Sequence, residues 1–401
     1  MMNGSRTILT VIAALLSRAD LHAQERSYVT VFVAPESTGQ PSIRIPALLC
    51  TSSGTLLAFA EGRDKKSDQA SNDLVLSRST DLGRTWSKAR IVVADGESSV
   101  NNPTVVQERE SGRIYLHFHV FPPKTREFDK IPPGPSGGTR MACVTSDDDG
   151  QTWSQPIDLS AALKPENAVT VAQGPGIGIQ LERGKYAGRM LVPCNSHDDK
   201  NVFVNWMAIS DDGGDTWRRG ADVPQEGIQL NEVQVSETAD GGVYLNSRQW
   251  RGNGGRKVAW SSDGGATWSK AVEDRTLDEP VCQGSLISWK EEDRHCTLFL
   301  NPAGDPPGKG RKRGTVRLSF DGGRTWPISK VLVPGPFAYS SMARLPDGRI
   351  GVLYEPAGDT EIRFLTFDMT WLESDEPEPA AVEEPKGENT SGTKSDGGKK
   401  Q

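Results

Sequence analysis

The chain has 401 residues and a mass of 43.5 kDa, room for two or three average domains or one large all-β or α/β-barrel domain. Its 42 glycines and 26 prolines make it turn-rich without reaching collagen-like or low-complexity composition. A formal charge of -7 with no basic block leaves no electrostatic footprint for nucleic acid or an anionic membrane. Past the N-terminus no apolar run approaches the roughly 18 residues of a spanning helix, which excludes a polytopic membrane protein.

In chain order the first element is of export type. Arg6 precedes an apolar run from Thr7 to Leu16, and Ser17 to Ala23 supply a polar end. Residues 1–23 are therefore predicted to be a signal peptide, with the protein secreted or periplasmic. Leu21, three positions before a cut after Ala23, fits imperfectly, and a short buried N-terminal helix is the competing reading. No cysteine lies nearby, which argues against a lipid anchor. The folded domain is placed at residues 27–372. The segment 373–401 holds almost nothing apolar and is expected to be a disordered tail.

Inside the domain the pattern Ser-x-Asp-x-Gly-x-Thr-Trp recurs at Ser79 to Trp86, Ser146 to Trp153, Ser210 to Trp217, Ser261 to Trp268 and Ser319 to Trp326. Each copy follows an alternating apolar stretch and precedes another strand-like segment, so each is read as a hairpin turn. The Asp accepts from backbone N–H groups, Gly supplies a positive φ, and the Trp is expected to pack back on its own hairpin. The aspartates Asp81, Asp148, Asp212, Asp263 and Asp321 stand roughly 60 residues apart, the length of a four-stranded propeller blade with generous loops. An all-β, six-bladed β-propeller is the predicted fold. No ladder of acidic ligands accompanies the motifs, so they are read as turns rather than calcium loops.

Five cysteines (Cys50, Cys143, Cys194, Cys282, Cys296) show no metal-ligand spacing and read as small buried hydrophobes; pairing of Cys282 with Cys296 stays open for an exported chain. His117 and His119 share one strand face, but no third ligand stands at a sensible spacing. No phosphate loop or serine-hydrolase elbow is present. No metal and no cofactor is expected.

The repeated motif is similar to the Asp-box of sialidases, which other secreted propellers also carry. Further segments extend the resemblance. Ile43-Arg44-Ile45-Pro46 resembles the Arg-Ile-Pro motif before the first Asp-box, followed by AFAEGR (58–63) and Asp68. NEVQVSETADGGVYLNSR (231–248), RKRGTVRLSFDGGRTWPISK (311–330), PFAYSSM (336–342) and GVLYE (351–355) resemble later segments of the family in the right order. The chain thus resembles bacterial-type exo-α-sialidases over essentially the whole folded region.

That resemblance implies roles for particular residues. Arg44, Arg248 and Arg311 would clamp the substrate carboxylate, for which planar, permanently charged guanidinium groups are suited. Arg313 and Arg317 compete with Arg311; parity along one continuous strand would not separate them, and position favours Arg311. Tyr339 would be the nucleophile, since a carboxylate attacking an anomeric centre that already bears one meets like-charge repulsion. Glu232 would take the phenolic proton, and Asp68 would serve as acid and then base. Glu355 would buttress Arg44, and Arg63 would approach the sugar's 4-hydroxyl. Many relatives place an aspartate beside that arginine where this chain has Asn102, which puts recognition of the 4-hydroxyl in doubt.

The implied function is retaining hydrolysis of terminal α-linked sialic acid on glycans, glycoproteins or glycolipids. Transfer to another sugar, action on a related 2-keto sugar acid, and a non-catalytic sugar- or protein-binding propeller are the alternatives.

Overall fold

Segments such as Leu56–Arg63 (LLAFAEGR) and Ile114–Phe121 (IYLHFHVF) are buried along their whole length, because other sheets cover both of their faces. The computed structural model describes residues 27–376 except 130, 251–253 and 357, together with residue 378. The expected signal peptide (1–23) lies outside the described residues, as do 377 and 379–401 of the expected tail, whose first residues instead belong to the fold: Glu373 ends a helix and pairs with Arg294, and Ser374 meets Lys330. Strands dominate; the helices among the described residues are the turn-length Ser160–Leu163 and Met369–Glu373 and a 3-10 turn at Gly184–Tyr186.

The strands form five hydrogen-bonded sheets. One runs Leu230–Glu237, Val243–Gln249, Gly254–Ser261, Val272–Glu279, and the next runs Ser285–Glu291, Arg294–Pro302, Lys312–Ser319, Ile328–Pro336. A five-stranded sheet is built on Ala168–Gln173, Met190–Asp198 and Phe203–Ser210. The largest has nine strands, in which the stacks beginning at Ser42–Cys50 and Ser99–Gln107 are joined by one parallel bridge, Asn72 to Ser99. In the last sheet Ser340–Arg344, Ile350–Tyr354 and Glu361–Phe367 are completed by Val29–Val33 from the other end of the chain.

The first strand of each stack packs beside its neighbours' inner strands around a common axis, and Ser42–Cys50 touches both Ser99–Gln107 and Ser340–Arg344, which closes the ring. The arrangement is propeller-like, and its core is a series of layers between adjacent stacks. In one layer Phe32, Leu48 and Ala58 pack against Leu345, Leu353 and Phe364.

All five motifs make the expected turn. Ser79 Oγ donates to Asp81 Oδ1 at 2.8 Å, Gly83 N donates to Ser79 Oγ at 2.9 Å, and both the N–H and the hydroxyl of Thr85 donate to the Asp81 carboxylate at 2.9 and 2.6 Å. These bonds, that from the Thr85 hydroxyl foremost, hold the Asp81 carboxyl at about 2. The tryptophans depart from expectation. Trp86 meets Phe364, Trp153 meets Phe59, Trp217 meets Tyr115, and Trp326 meets Tyr244, each on the preceding stack rather than only on its own hairpin. The hairpin is too thin to cover an indole, and the neighbouring stack supplies the missing apolar face.

Candidate active site

Residues at or near the starts of the inner strands Ser42–Cys50, Ser99–Gln107, Ala168–Gln173, Leu230–Glu237 and Ser340–Arg344 converge at one mouth of the ring. Three of these strands are bulged at that point. Pairing register shifts between Arg44 and Ala47, between Asn101 and Thr104, and between Leu230 and Val233. Ile45 and Asn102, each directly before a proline, stand at φ of 59° and 52°. A bulge leaves a residue out of the ladder, which accommodates the proline's missing N–H and re-aims the neighbouring side chain. Positive φ is costly for β-branched Ile45; its N–H donates to Glu355 Oε1 at 2.7 Å, one of the contacts that hold it there.

The mouth contains a cavity of about 280 Å³, lined by Arg44, Arg63, Asp68, Asn102, Glu232, Arg248, Arg311 and Tyr339 among others. Tyr339 is buried, and its hydroxyl donates to Glu232 Oε1 and accepts from Arg248 Nη1 at 2.8 Å. The same Nη1 stands 2.6 Å from Glu232 Oε2. Burial, and after it the Glu232 carboxylate, push the Tyr339 phenol well above its ordinary value, against the pull of Arg248 and Arg311. The guanidinium carbons of Arg44 and Arg311 stand 5.1 and 5.3 Å from the centre of the Tyr339 ring.

Glu355 grips Arg44 with both oxygens, from Nε at 3.2 Å and Nη2 at 2.9 Å. Burial opposes the charge on Arg44, and Glu355 outweighs it, so the guanidinium stays protonated. Arg311 donates to the Val281 carbonyl at 3.0 Å. The competitors of Arg311 point elsewhere. Arg313 stands at φ 59° in a stretch of shifted register and meets Glu378 at 3.5 Å, while Arg317 is buried on Asn301 of its own stack and Asp278 of the preceding one. The strand begins at Lys312, so the single continuous strand on which parity would have left the three equivalent does not exist.

On the opposite wall Arg63 donates from Nη1 to Asp68 Oδ1 at 2.8 Å, and Arg44 approaches that oxygen at 3.8 Å. Partial desolvation raises the Asp68 carboxyl, but Arg63, then Arg44 and Arg311, outweigh it and hold it below the ordinary carboxylate range. The Asp68 carbonyl accepts from Asn72 Nδ2 at 2.8 Å and Asn101 Nδ2 at 2.9 Å, which secures its loop. Asn102 lines the cavity, with its Nδ2 committed to the Gln173 carbonyl at 2.8 Å.

Several lining groups were not found by reading the sequence. Glu61 grips Arg63 from the same strand face; a lone acid two residues from an arginine in an apolar strand was the available signal. Glu127 lines the cavity, and desolvation together with Glu232 and Asp68 pushes its carboxyl to about 7, Arg248 opposing. His119, for which the sequence offered only an incomplete ligand set, also lines it, whereas His117 packs on Trp217; burial holds the two at about 4 and about 3. All five cysteines are free thiols, Cys282 and Cys296 included.

A family model described as a BNR repeat-like domain matches residues 54–352. A sialidase of Micromonospora viridifaciens is 36% identical over 350 residues, covering 83% of this chain and 52% of that protein. An exo-alpha-sialidase of Aspergillus fumigatus is 30% identical over 370 residues, covering 83% of this chain and 86% of that one. Among solved structures, Hadza microbial sialidase Hz136 superposes with a TM-score of 0.78 at 31% identity, over 86% of this chain and 69% of that chain. The chain spans about half the length of the Micromonospora relative.

Proposed function

Because the chain belongs to the sialidase family, we propose that it is an exo-α-sialidase that hydrolyses terminal α-linked sialic acid with retention, through a covalent sialyl-tyrosine. The observation that carries this reading is the buried Tyr339 hydroxyl, bonded to both Glu232 and Arg248 at the floor of a cavity into which Arg44 and Arg311 also face. A mere sugar binder needs the arginines but has no use for a phenol held against a carboxylate.

In this reading Arg44, Arg248 and Arg311 bind the C1 carboxylate of the sugar. Tyr339 Oη attacks C2 as its proton passes to Glu232, and Asp68 protonates the departing glycosidic oxygen. The phenol is neutral at rest, so it becomes a competent nucleophile only as Glu232 takes that proton. Water then enters, gives its proton to Asp68, and breaks the C2–Oη bond while Glu232 returns the proton to Tyr339. Glu355 keeps Arg44 charged and aimed, and Arg63 faces the 4-hydroxyl, with neutral Asn102 beside it.

We read the ring as a six-bladed propeller made by residues 27–372. The nine-stranded sheet is held together at its middle by a single bridge, Asn72 to Ser99, and counts as two blades. Residues 1–23 act as a signal peptide for export, and the substrates are sialylated glycoconjugates. Among the described residues no helix is long and apolar enough to cross a membrane.

The test is hydrolysis of a fluorogenic α-sialoside, with the first-formed anomer followed by NMR and the intermediate trapped by a fluorinated sialic acid. Release of the α-anomer and label on Tyr339 are expected. Release of the β-anomer, or label on another residue, overturns the mechanism.

A further inference from the structure

The cavity wall contains an ion chain that runs inward from Asp68. Arg63 spends Nη1 on Asp68 at 2.8 Å and turns Nε and Nη2 to Glu61 Oε2 at 2.8 and 2.6 Å. The other oxygen of Glu61 accepts the backbone N–H of Asn102 at 2.7 Å, at the bulge of the neighbouring inner strand. Glu61 and Arg63 are both fully buried. We propose that Glu61 is a positioning residue that sets the proton-donating strength of Asp68 through Arg63, and so decides how poor a leaving group the enzyme can expel. This rests on the sialidase reading above.

The reasoning is electrostatic. A buried guanidinium keeps its full charge, and whatever part of that charge is not met elsewhere falls on Asp68 and favours its ionised form. The groups that meet the Glu61 carboxyl, the Arg63 guanidinium and the Asn102 N–H, are donors, as a carboxylate requires. Burial, with Asp68 adding to it, leaves the Glu61 carboxyl above its ordinary value, against the opposing pull of Arg63 and the Asn102 N–H. Glu61 therefore absorbs most of the positive charge of Arg63 and leaves Asp68 a weaker partner. Asp68 also faces Arg44 and Arg311, and the carboxyls of Glu61 and Glu127. With a neutral group at position 61 the balance tips toward cations. Asp68 then holds its proton in a smaller fraction of the enzyme, so less of it stands ready as the acid, while it is ionised, as its later task as base requires.

The step that suffers is protonation of the glycosidic oxygen. An aryl sialoside, whose phenolate leaves unaided, is nearly insensitive to it, whereas a glycosyl sialoside, whose alkoxide does not, depends on it.

Wild type, E61Q, E61D and D68A are compared on an aryl and a glycosyl α-sialoside, with melting temperature recorded for each. General acid catalysis typically contributes about 10²- to 10⁴-fold, so E61Q is expected to lose on the order of ten- to hundredfold more kcat/KM on the glycosyl substrate than on the aryl one. D68A should show the same skew more strongly, and E61D should lie between wild type and E61Q. An equal loss on both substrates in E61Q, or no loss on either, overturns the proposal. If E61Q does not fold, E61D decides: a skewed ratio supports the role and an unchanged ratio overturns it. An equal loss in D68A removes the acid on which the role depends. A wild type inactive on both substrates overturns the sialidase reading itself, and with it this role.

Discussion

The cavity holds more carboxyl groups than the proposed two-step chemistry uses. Glu127 is neutral below about 7 and anionic above it, and it faces Glu232, Asp68 and Arg248, with His197 beside its backbone. Its raised value means that a negative charge is switched on within the cavity as pH rises, where the anionic substrate we propose has to enter. The kcat/KM of wild type is therefore expected to fall as pH passes 7, and E127Q is expected to fall less. A second like charge in a partly desolvated site makes the difference roughly three- to tenfold between pH 6 and pH 8. Parallel pH profiles for the two proteins would show that Glu127 does not titrate against the substrate.

At the scale of the element, the repeated turn joins stacks as well as closing hairpins. Gly214 stands at φ 96°, and a Cβ there would lie 2.2 Å from the ring carbon Cζ of Tyr115 on the preceding stack. Gly214→Ala adds the left-handed penalty to a clash with a ring already packed on Trp217. The expected cost is about 2 to 5 kcal/mol. Gly96→Ala is the control, because its φ is 62° and nothing lies within 4 Å of the added carbon. It should cost only about 1 to 2 kcal/mol, the penalty for the backbone conformation. Denaturant titration of both variants separates the terms; equal losses would mean that the turn does not press on its neighbour. The turn's Asp, Thr and Ser were legible in the sequence because they act within eight residues. The partner of the tryptophan was not, because it belongs to another stack.

At the scale of the whole molecule, the ring is closed by a strand from the opposite end of the chain. Val29–Val33 pairs antiparallel with Glu361–Phe367, and Phe32 is fully buried between the first and last stacks. A ring that lacked this strand would carry an open edge, where pairing with other chains begins. Phe32→Ala removes an aromatic ring from that seam and should cost about 3 to 5 kcal/mol in chemical denaturation. A loss below about 1 kcal/mol would show that the seam relaxes around the cavity or contributes little. The site itself is built across stacks in the same way: Arg44, Glu232, Tyr339 and Arg311 come from four of them, so whatever opens the ring disperses the clamp.

The sequence by itself determined the all-β class, the repeating turn and the nine residues that the resemblance singled out, eight of which line the one cavity while Glu355 holds Arg44 from behind. These are properties of short segments, each recognisable from its own residue order. Tertiary structure decided the rest. The shift of strand register that turns Arg313 away from the cavity is displayed by no local pattern, although position along the chain already favoured Arg311. The commitment of Asn102 to the Gln173 carbonyl, the bond from the Asn102 N–H to Glu61 and the raised carboxyl of Glu127 depend on groups brought together by the packing of stacks around the ring. Charge and desolvation act through space, and in a ring of radial stacks the nearest groups across the axis are far apart along the chain.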